Sequence, residues 1–373
     1  LALIKTFFSD LKASYLKFYN NDMAIFGKES AFLDIDNIEI YDTDCGSNSL
    51  KGCLVDAIFQ SLRITNLTAV NISPNSEGAS LYAKNTDSFE INGAQMVNIT
   101  GSRGACIIGK NVSFAITGFN ATNFYGGCIY ASKLKSFTLE NSIFENALYS
   151  QLNPDSAYTT TQASAFTCSA CNIVTIRNSI FNNNVNQTLS GGGVLLSASG
   201  KNQTAVIENC TFSGNVVPET GGALYVSDYN LTLKDSKFSG NKANNGGAFY
   251  YTLSNNLFSN LNIINTNFFD NIGNMTGGAV SITKIKGGFT FDTAYFSGNR
   301  GYNYEGSQID YISRGGALYF SCTECSTTLL KNARFENNQA NVGGAIFYDQ
   351  KPIFWQNTTF SDNKATSVSG YGP

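Results

Sequence analysis

Histidine is absent from this chain, and charged residues are scarce. The 373 residues include no His, and only 14% of them are Asp, Glu, Lys or Arg, against about 25% in an ordinary globular domain. Without His the chain lacks the commonest acid–base group of enzymes and a common zinc ligand. The net charge of −3 provides no basic surface for nucleic acid. We therefore expect no cofactor and no nucleic-acid partner.

Long apolar runs are missing too. No run approaches the roughly 18 residues that a membrane-spanning helix needs, so we expect no membrane span in this chain. The sequence does not begin with Met and shows no recognisable signal peptide, which predicts a mature or excised chain. The hydrophobic content of 42% still allows a large core. Asn, Ser, Thr and Gly make up for the missing charge, which suits turns and side-chain ladders.

One sequence unit recurs along the chain. Phe212-Ser213-Gly214-Asn215 is followed by Gly221-Gly222-Ala223, and this pair of signatures returns with a period of about 25 residues or a little more. The phenylalanines of the successive units are Phe144, Phe181, Phe212, Phe238, Phe268, Phe296, Phe335 and Phe360. A period in this range indicates an array of one repeated supersecondary unit.

Each unit has an internal pattern. Ahead of Phe212, for example, Ile207 is apolar, Glu208 is polar, Asn209 follows, and Cys210 is small. Alternation of apolar and polar residues predicts a half-buried strand, and Asn at the break predicts a bend, because Asn tolerates a left-handed backbone. The unit is therefore a strand, an Asn bend, a strand with Phe, an Asn turn, a loop and a Gly-Gly-Ala strand.

Such units bury their apolar face only by stacking. The pattern predicts an all-β fold, a right-handed parallel β-helix of about twelve coils, with the eight phenylalanines in one interior ladder. A leucine-rich repeat would show its Leu-x-x-Leu-x-Leu pattern, and a helical solenoid would show a period near 3.6 residues; neither is present. We expect degenerate coils over residues 21–125 and regular coils over residues 126–373.

The first 20 residues follow another pattern. Their apolar residues are spaced by three and four and comprise Leu1, Ile4, Phe8, Leu11, Tyr15 and Phe18. This spacing predicts an amphipathic helix over residues 1–20, which would cap the open edge of the first coil. A helix lying on a membrane surface is the alternative.

The nine cysteines favour an oxidising compartment. Cys168 with Cys171 and Cys322 with Cys325 form two Cys-x-x-Cys pairs, which also invite a zinc interpretation. The pairs lie about five coils apart, too far to share one ion, so we predict two local disulfides. We further predict disulfides between Cys106 and Cys128, which should lie on neighbouring coils, and between Cys45 and Cys53. Cys210 is expected as a buried free thiol.

Eleven Asn-x-Ser/Thr sequons point in the same direction, because many fall at positions predicted to face outwards. We expect glycans at Asn66, Asn71, Asn98, Asn111, Asn120, Asn186, Asn202, Asn230 and Asn274. Asn209 and Asn357 occupy the bend, where a glycan has little room. These features predict an extracellular or cell-surface location.

Two long insertions fall between the Phe turn and the next glycine pair, at residues 146–164 and 299–314. Loops inserted at one corner project from one face of a solenoid, often its binding face. A candidate interaction loop therefore comprises Arg300, Tyr302, Tyr304, Tyr311 and Arg314. The alternative is a pair of surface loops packed by their own tyrosines.

The combination of Gly-Gly-Ala-[Ile/Leu/Val] with Phe-x-x-Asn resembles the repeats of the polymorphic outer membrane proteins (Pmp), which are bacterial surface adhesins with β-helix passengers. The resemblance covers residues 126–373 well and residues 30–125 weakly. It implies a surface location and an adhesive or structural role. The repeats also look like those of large eukaryotic cell-surface proteins.

We therefore expect a secreted or cell-surface glycoprotein that builds an extracellular filament or coat. Its expected partners are other protein subunits, with glycans as a second class. The alternative is a carbohydrate-binding or polysaccharide-processing β-helix enzyme. Such chemistry needs paired carboxylates or calcium beside a base, and the candidate acidic pair in the N-terminal region is Asp42 with Asp44. We expect no enzyme.

Overall fold

The computed structural model describes residues 4–7, 10–20, 25–44, 52–73, 79–101, 105–149, 163–187, 190–200, 202–253, 258–301, 312–322, 324–326, 328–349 and 353–366. Regular structure in these residues is β-strand, and none of it is helical. The chain divides into two compact units, residues 1–180 and residues 181–373.

The strands of the first unit are β1 (Ile4–Phe7), β2 (Leu11–Tyr19), β3 (Ile25–Asp44), β4 (Gly52–Ser73), β5 (Ala79–Lys84), β6 (Ser88–Ile99), β7 (Ile107–Lys110), β8 (Ser113–Thr122), β9 (Ile129–Ser132), β10 (Ser136–Glu140), β11 (Ile143–Glu145), β12 (Leu148–Tyr149), β13 (Phe166–Ser169) and β14 (Ile173–Arg177).

The strands that follow are β15 (Ile180–Asn182), β16 (Val185–Asn186), β17 (Val194–Ser197), β18 (Thr204–Glu208), β19 (Thr211–Ser213), β20 (Leu224–Ser227), β21 (Asn230–Lys234), β22 (Lys237–Ser239), β23 (Lys242–Asn245), β24 (Phe249–Thr252), β25 (Leu261–Ile264), β26 (Asn267–Phe269), β27 (Ile272–Thr276), β28 (Val280–Thr283), β29 (Phe289–Asp292), β30 (Tyr295–Ser297), β31 (Leu318–Ser321), β32 (Thr328–Lys331), β33 (Arg334–Glu336), β34 (Gln339–Ala340), β35 (Ile346–Asp349), β36 (Phe354–Gln356), β37 (Thr359–Ser361) and β38 (Lys364–Ala365).

Each strand pairs in parallel with the equivalent strand of the next coil, so the predicted parallel β-helix is confirmed. In the first unit one interior position runs through Phe18, Ile40, Ala69, Met96, Ala121 and Phe144. In the second unit the same position is held by the seven phenylalanines from Phe181 to Phe360. The described residues therefore contain six rungs in one unit and seven in the other, where about twelve coils were predicted.

The predicted division at 125/126 falls inside the first unit, where β8 pairs in register with β10. The division at 125/126 marks the point where the Gly-Gly-Ala and Phe-x-x-Asn signatures become regular in the sequence, whereas the two compact units divide after Ile180.

The helix predicted for residues 1–20 is wrong. The described part of this segment forms β1 and β2, which pair in parallel with β3. Tyr15 has a left-handed φ of 57° and bends β2. Leu11 and Ala13 alternate before the bend, and Leu16 and Phe18 alternate after it. Tyr15, which the helical spacing counted as apolar, is the bend itself and is 80% exposed. No capping helix is present in the described residues.

The predicted phenylalanine ladder is confirmed. Seven of the eight rings are fully buried, and Phe360 is 49% exposed. In the second unit successive rings stack with centroids 4.6–5.1 Å apart. Each buried Phe stabilises its coil by about 1.5–3 kcal/mol through removal of apolar surface from water.

The predicted Asn bend is also confirmed. Every residue three before a ladder Phe has a positive φ between 45° and 58°, namely Asn141, Asn178, Asn209, Asp235, Asn265, Thr293, Asn332 and Asn357. Asn and Asp accept this conformation at lower cost than other side chains. The bend therefore sets the angle between two strands of each coil.

The Asn of Phe-x-x-Asn does not make the turn that the sequence predicts. The left-handed residue is the one before it, such as Gly214 with φ 61°. Asn215 points inwards and is completely buried, as are Asn184, Asn241, Asn271, Asn299 and Asn338. The backbone N and Nδ2 of each donate to Oδ1 of the next coil's Asn at 2.9–3.1 Å. We call this series, which ends at Asn363, the asparagine ladder.

The two glycines of Gly-Gly-Ala have different roles. Gly221 has φ 64°, a conformation that favours glycine. A Cβ on Gly222 would lie 2.0 Å from the carbonyl oxygen of Gly247. The first glycine therefore provides the turn, and the second allows consecutive coils to approach at this corner.

Candidate interaction surfaces

The structure pairs the sulfur atoms of three predicted disulfides. Cys106 and Cys128 lie on neighbouring rungs with Cα atoms 4.7 Å apart, and this pair closes a 22-residue separation. The Cα atoms are 6.1 Å apart in the Cys168–Cys171 pair and 5.8 Å apart in the Cys322–Cys325 pair. All three distances suit a disulfide. Oxidation of these pairs in the native protein stays a prediction.

The other cysteines divide between two situations. Cys210 is a buried free thiol, as predicted, and its Sγ–H donates to the carbonyl of Glu208 at 3.2 Å. Cys45 lies outside the described residues, so the Cys45–Cys53 pair stays a prediction. Within the described part of the chain, no group of three His, Cys, Asp or Glu residues could hold a metal ion.

The sequons of the first unit are on the surface. Asn66, Asn71, Asn98, Asn111 and Asn120 are all exposed. Asn71 Nδ2 donates to Asp42 Oδ1 at 2.7 Å, and Asn98 Nδ2 donates to Asn71 Oδ1 at 2.9 Å. An amide with one attached sugar keeps one N–H, so this pattern of hydrogen bonds between coils is compatible with glycosylation.

The sequons of the second unit differ among themselves. Asn202 is exposed, and Asn230 and Asn274 are half-buried. Asn186 is buried, and its Nδ2 donates to the carbonyl of Ser190 at 3.4 Å. The structure therefore argues against Asn186 as an acceptor, because a glycan there would have to displace packed atoms.

The predicted interaction loop is only partly described. Tyr302, Tyr304 and Tyr311 lie outside the described residues. Arg300 and Arg314 flank them and are both exposed. The Arg314 guanidinium lies 5.5 Å from the centre of the Phe347 ring. Arg300 forms parallel backbone bridges with Ile272 and Gln339, and Arg314 forms them with Thr276 and Val342. Both arginines therefore lie in the corner of the coil from which the insertion leaves.

Carboxylates on the outer faces pair with cations of the neighbouring coil. Glu208 Oε1 lies 2.5 Å from Lys234 Nζ, and Asp292 Oδ2 lies 3.2 Å from Lys331 Nζ. Each pair occupies directly opposed positions in the register, where opposite charges stabilise and like charges destabilise a sheet.

The acidic groups of the first unit follow the same rule. Arg63 donates to Asp34 from Nε at 2.9 Å, and this hydrogen bond holds the pKa of the Asp34 carboxyl below its ordinary value. Asp42, one member of the candidate acidic pair, accepts the hydrogen bond from Asn71. These contacts are those of a solvated strand face.

An aromatic stripe on the second unit was missed by the sequence analysis. Tyr225 stacks on Tyr250 with centroids 5.7 Å apart, and Tyr319 stacks on Phe347 at 5.6 Å. Burial raises the pKa of Tyr225 to about 12. The signal was an aromatic residue two places after four of the five Gly-Gly-Ala motifs, as in Ala223-Leu224-Tyr225, with Ser281 at the equivalent place of the fifth. The rings face each other along the stack, with interplanar angles of 12° and 2°.

The rung formed by residues 353–366, here called the open rung, exposes large apolar side chains. Phe354 is 62% exposed, Trp355 is 46% exposed and Phe360 is 49% exposed. The residues equivalent to Trp355 and Phe360 in the preceding rung, Leu330 and Phe335, are fully buried, and Leu329, the equivalent of Phe354, is half-buried. Within the part of the chain that the structure describes, no strand covers β36 or β37 on this side.

Comparison with known proteins identifies one repeat directly. Residues 209–227 match the model of the Chlamydia polymorphic membrane protein repeat. No curated protein matches the chain. The matched residues span the bend at Asn209, the ladder residues Phe212 and Asn215, and the Gly221-Gly222 corner. The same rung recurs through the second unit in register, so the matched segment is one Pmp-type repeat in a series of equivalent rungs.

Proposed function

We propose that this protein is a secreted or cell-surface glycoprotein with a structural or adhesive role, and that it serves as a building block of an extracellular filament or coat. The observation that carries the proposal is the Pmp-type rung itself, matched at residues 209–227. Proteins with that repeat are surface proteins. We infer the surface location and the structural or adhesive role of this chain from that similarity.

The cysteines and sequons support the same location. Three cysteine pairs lie at distances that suit disulfides, and disulfides persist in oxidising compartments. Sequons at Asn71, Asn98 and Asn120 are exposed on consecutive coils of the first unit. The structure describes no helix that could cross a membrane.

The outer faces support a structural role over an enzymatic one. The carboxylates of Asp34, Glu208 and Asp292 lie in ion pairs with neighbouring coils, whereas glycoside hydrolysis needs two carboxyl groups that converge on one bond. Tyr225 and Tyr250 turn one ring face to each other, as do Tyr319 and Phe347, so these inner faces are not available to a sugar ring. We therefore propose no catalytic residue.

Two measurements test this proposal. Antibody labelling of intact source cells should stain the surface without permeabilisation, and the purified chain should form larger species with increasing concentration in sedimentation velocity. Staining only after permeabilisation would contradict the surface location. A monomer at every concentration would contradict the filament or coat.

A further inference from the structure

Tyrosines of neighbouring coils lie directly opposite each other in two places of the described residues. In the second unit Tyr225 pairs with Tyr250, and their rings stack with centroids 5.7 Å apart and an interplanar angle of 12°. In the first unit Tyr19 pairs with Tyr41, with centroids 5.2 Å apart at 11°. Because the strands are parallel and in register, the two phenol groups of a pair point the same way. The ring carbons beside the two hydroxyl groups are therefore neighbours.

The contact between Tyr225 and Tyr250 is internal to the array of coils and still reaches solvent. β20 and β24 each have a paired strand on both sides, and both rings are half-buried. Burial raises the pKa of Tyr225 to about 12, so this side chain is a neutral phenol at neutral pH. A neutral phenol that loses an electron also loses its proton, which a neighbouring oxygen atom or water receives.

Oxygen atoms suited to this proton lie beside both pairs. The Tyr250 hydroxyl oxygen is 2.9 Å from Thr283 Oγ1. The Tyr41 hydroxyl donates to the Glu39 carboxylate at 3.3 Å. Removal of an electron from either ring therefore leaves a neutral phenoxyl radical in contact with the second phenol of the pair.

The composition directs one-electron oxidation to tyrosine. The chain contains 19 Tyr, against one Trp, three Met and no His. Met and free Cys are the usual competitors for oxidants, and the free Cys210 is buried. An oxidant that acts on this chain therefore meets few acceptors other than tyrosine.

We propose that Tyr225 with Tyr250, and Tyr19 with Tyr41, are sites of oxidative cross-linking to dityrosine, with hydrogen peroxide and a haem peroxidase as the oxidising system. Each phenol loses one electron and one proton, and the two radicals form one carbon–carbon bond between positions ortho to the hydroxyls. The hydrogen on each joined carbon then returns to the phenol oxygen as a proton, which restores both aromatic rings. The two electrons and two protons removed reduce one hydrogen peroxide to two water molecules.

The cross-link would join neighbouring coils covalently on their outer face. Both tyrosines of a pair belong to one chain, so the link forms without any assembly of the protein and extends the proposed function. Groups that are held in contact react faster than separate molecules, so links within a chain should form before links between chains. A link between coils restricts the unfolded chain as a disulfide does. The linked monomer should therefore melt at a higher temperature than the untreated chain.

The full chain, treated with a haem peroxidase and limiting hydrogen peroxide and then digested, tests the inference. We expect mass spectrometry to find linked peptides that join Tyr225 to Tyr250 and Tyr19 to Tyr41, each lighter by two hydrogen atoms than the sum of its parts. A mixture of unlabelled and heavy-isotope-labelled chains identifies the origin of each link. Links within a chain give peptides of one label, whereas links between chains also give mixed peptides.

Tyr319 and Phe347 provide the matched control. Their rings stack like those of the tyrosine pairs, at 5.6 Å and 2°, but phenylalanine has no phenol to oxidise. We expect no linked peptide from Tyr319 in the natural sequence and a new one, joining positions 319 and 347, in the Phe347→Tyr variant. The Tyr225→Phe variant should lose the link to Tyr250 and keep the link between Tyr19 and Tyr41.

Each outcome decides. Absence of the link between Tyr225 and Tyr250 would overturn the inference, as would mixed-label peptides in the proportion expected for random pairing of chains. An equal yield of this link in the urea-unfolded chain, or no gain of a link in Phe347→Tyr, would show that the stacked contact does not direct the coupling.

Discussion

The side-chain amide of Asn215 donates to Asn241 Oδ1 at 2.9 Å and to the carbonyl of Phe181 at 3.0 Å. Asn241 Oδ1 also accepts from the Asn215 backbone N at 3.0 Å. Each buried Asn of the ladder thus accepts two hydrogen bonds from the Asn of the preceding coil and donates one to a main-chain carbonyl of that coil, as Asn241 does with Asn215 and Phe212. Unpaired polar groups in an interior are costly, so this ladder fixes the register of each coil on the next.

Asn241→Leu tests the ladder. The substitution leaves the backbone N and one Nδ2–H of Asn215 buried without an acceptor, and each such group costs about 1–3 kcal/mol. We expect the free energy of unfolding, measured by urea denaturation, to fall by roughly 2–6 kcal/mol. Asn262→Leu on the exposed face of β25 is the control and should change it by less than about 0.5 kcal/mol. Equal effects of the two variants would contradict a special role for the ladder.

The sequence predicts the coil well but misplaces the side chain of the ladder Asn. The strands, the bend at Asn209 and the burial of Phe212 follow from alternation and spacing, which are local properties. The inward position of Asn215 depends on hydrogen bonds to a coil 26 residues away, which no local pattern contains. One signal was present: the third place of the signature varies among Gly, Asp and Asn, whereas the fourth place is Asn after seven of the eight ladder phenylalanines and Ala147 after Phe144.

The error at residues 1–20 has a similar origin. Periods of three and four indicate a helix only if the backbone is regular. Tyr15 in the left-handed region resets the alternation of β2, and Tyr is an uncommon residue for that conformation. The bend became visible only through the register that pairs Leu16 with Ile38 in the next coil. Ion pairs such as Glu208–Lys234 likewise required the register before they could be assigned.

Gly222→Ala tests the close approach of coils at the Gly-Gly corner. Its Cβ would meet the carbonyl oxygen of Gly247 at 2.0 Å, and the backbone would have to shift in two coils. We expect the free energy of unfolding to fall by about 3 kcal/mol or more, which is the upper end of the usual range for overpacked sites. Gly200→Ala meets nothing within 4 Å and should be nearly neutral. A tolerated Gly222→Ala would show that coils are more widely spaced at this corner.

The disulfide pairs should differ in their contributions. Cys106 and Cys128 are 22 residues apart in sequence, and Cys168 and Cys171 are 3 apart. Because a longer loop restricts the unfolded chain more, the chain-entropy relation gives about 3 kcal/mol for the first pair and about half of that for the second. Thermal unfolding of the double Cys→Ser variants checks this order. The reverse order would contradict the entropic account.

Acidic pH should destabilise the protein, whereas changes of pH within the neutral range should leave its stability unchanged. Hydrogen bonds from Arg63 and from Asn332 and Lys331 hold the pKa values of Asp34 and Asp292 below their ordinary value. A carboxyl group whose pKa is lower in the folded protein contributes stability at pH values above its unfolded-state pKa of about 4. This contribution is lost as the pH falls through the folded-state pKa. With no histidine, we expect a constant melting temperature from about pH 5.5 to 8 and a decline below about pH 4.

The Arg63→Gln variant provides the control for this pH dependence. It removes the charge beside Asp34, so the fall of the melting temperature at low pH should become smaller. The pH at which the remaining carboxyl groups cause this fall should change little. A melting temperature that rises on acidification would contradict the assignment of lowered carboxyl pKa values.

Peptide mapping of the native protein by mass spectrometry, without prior reduction, tests the surface location most directly. We expect glycopeptides at most of Asn71, Asn98, Asn120 and Asn202, an unmodified Asn186, and linked peptides that join Cys106 to Cys128. Unmodified asparagines at all four of these sequons, together with free thiols at Cys106 and Cys128, would contradict a secreted or cell-surface protein.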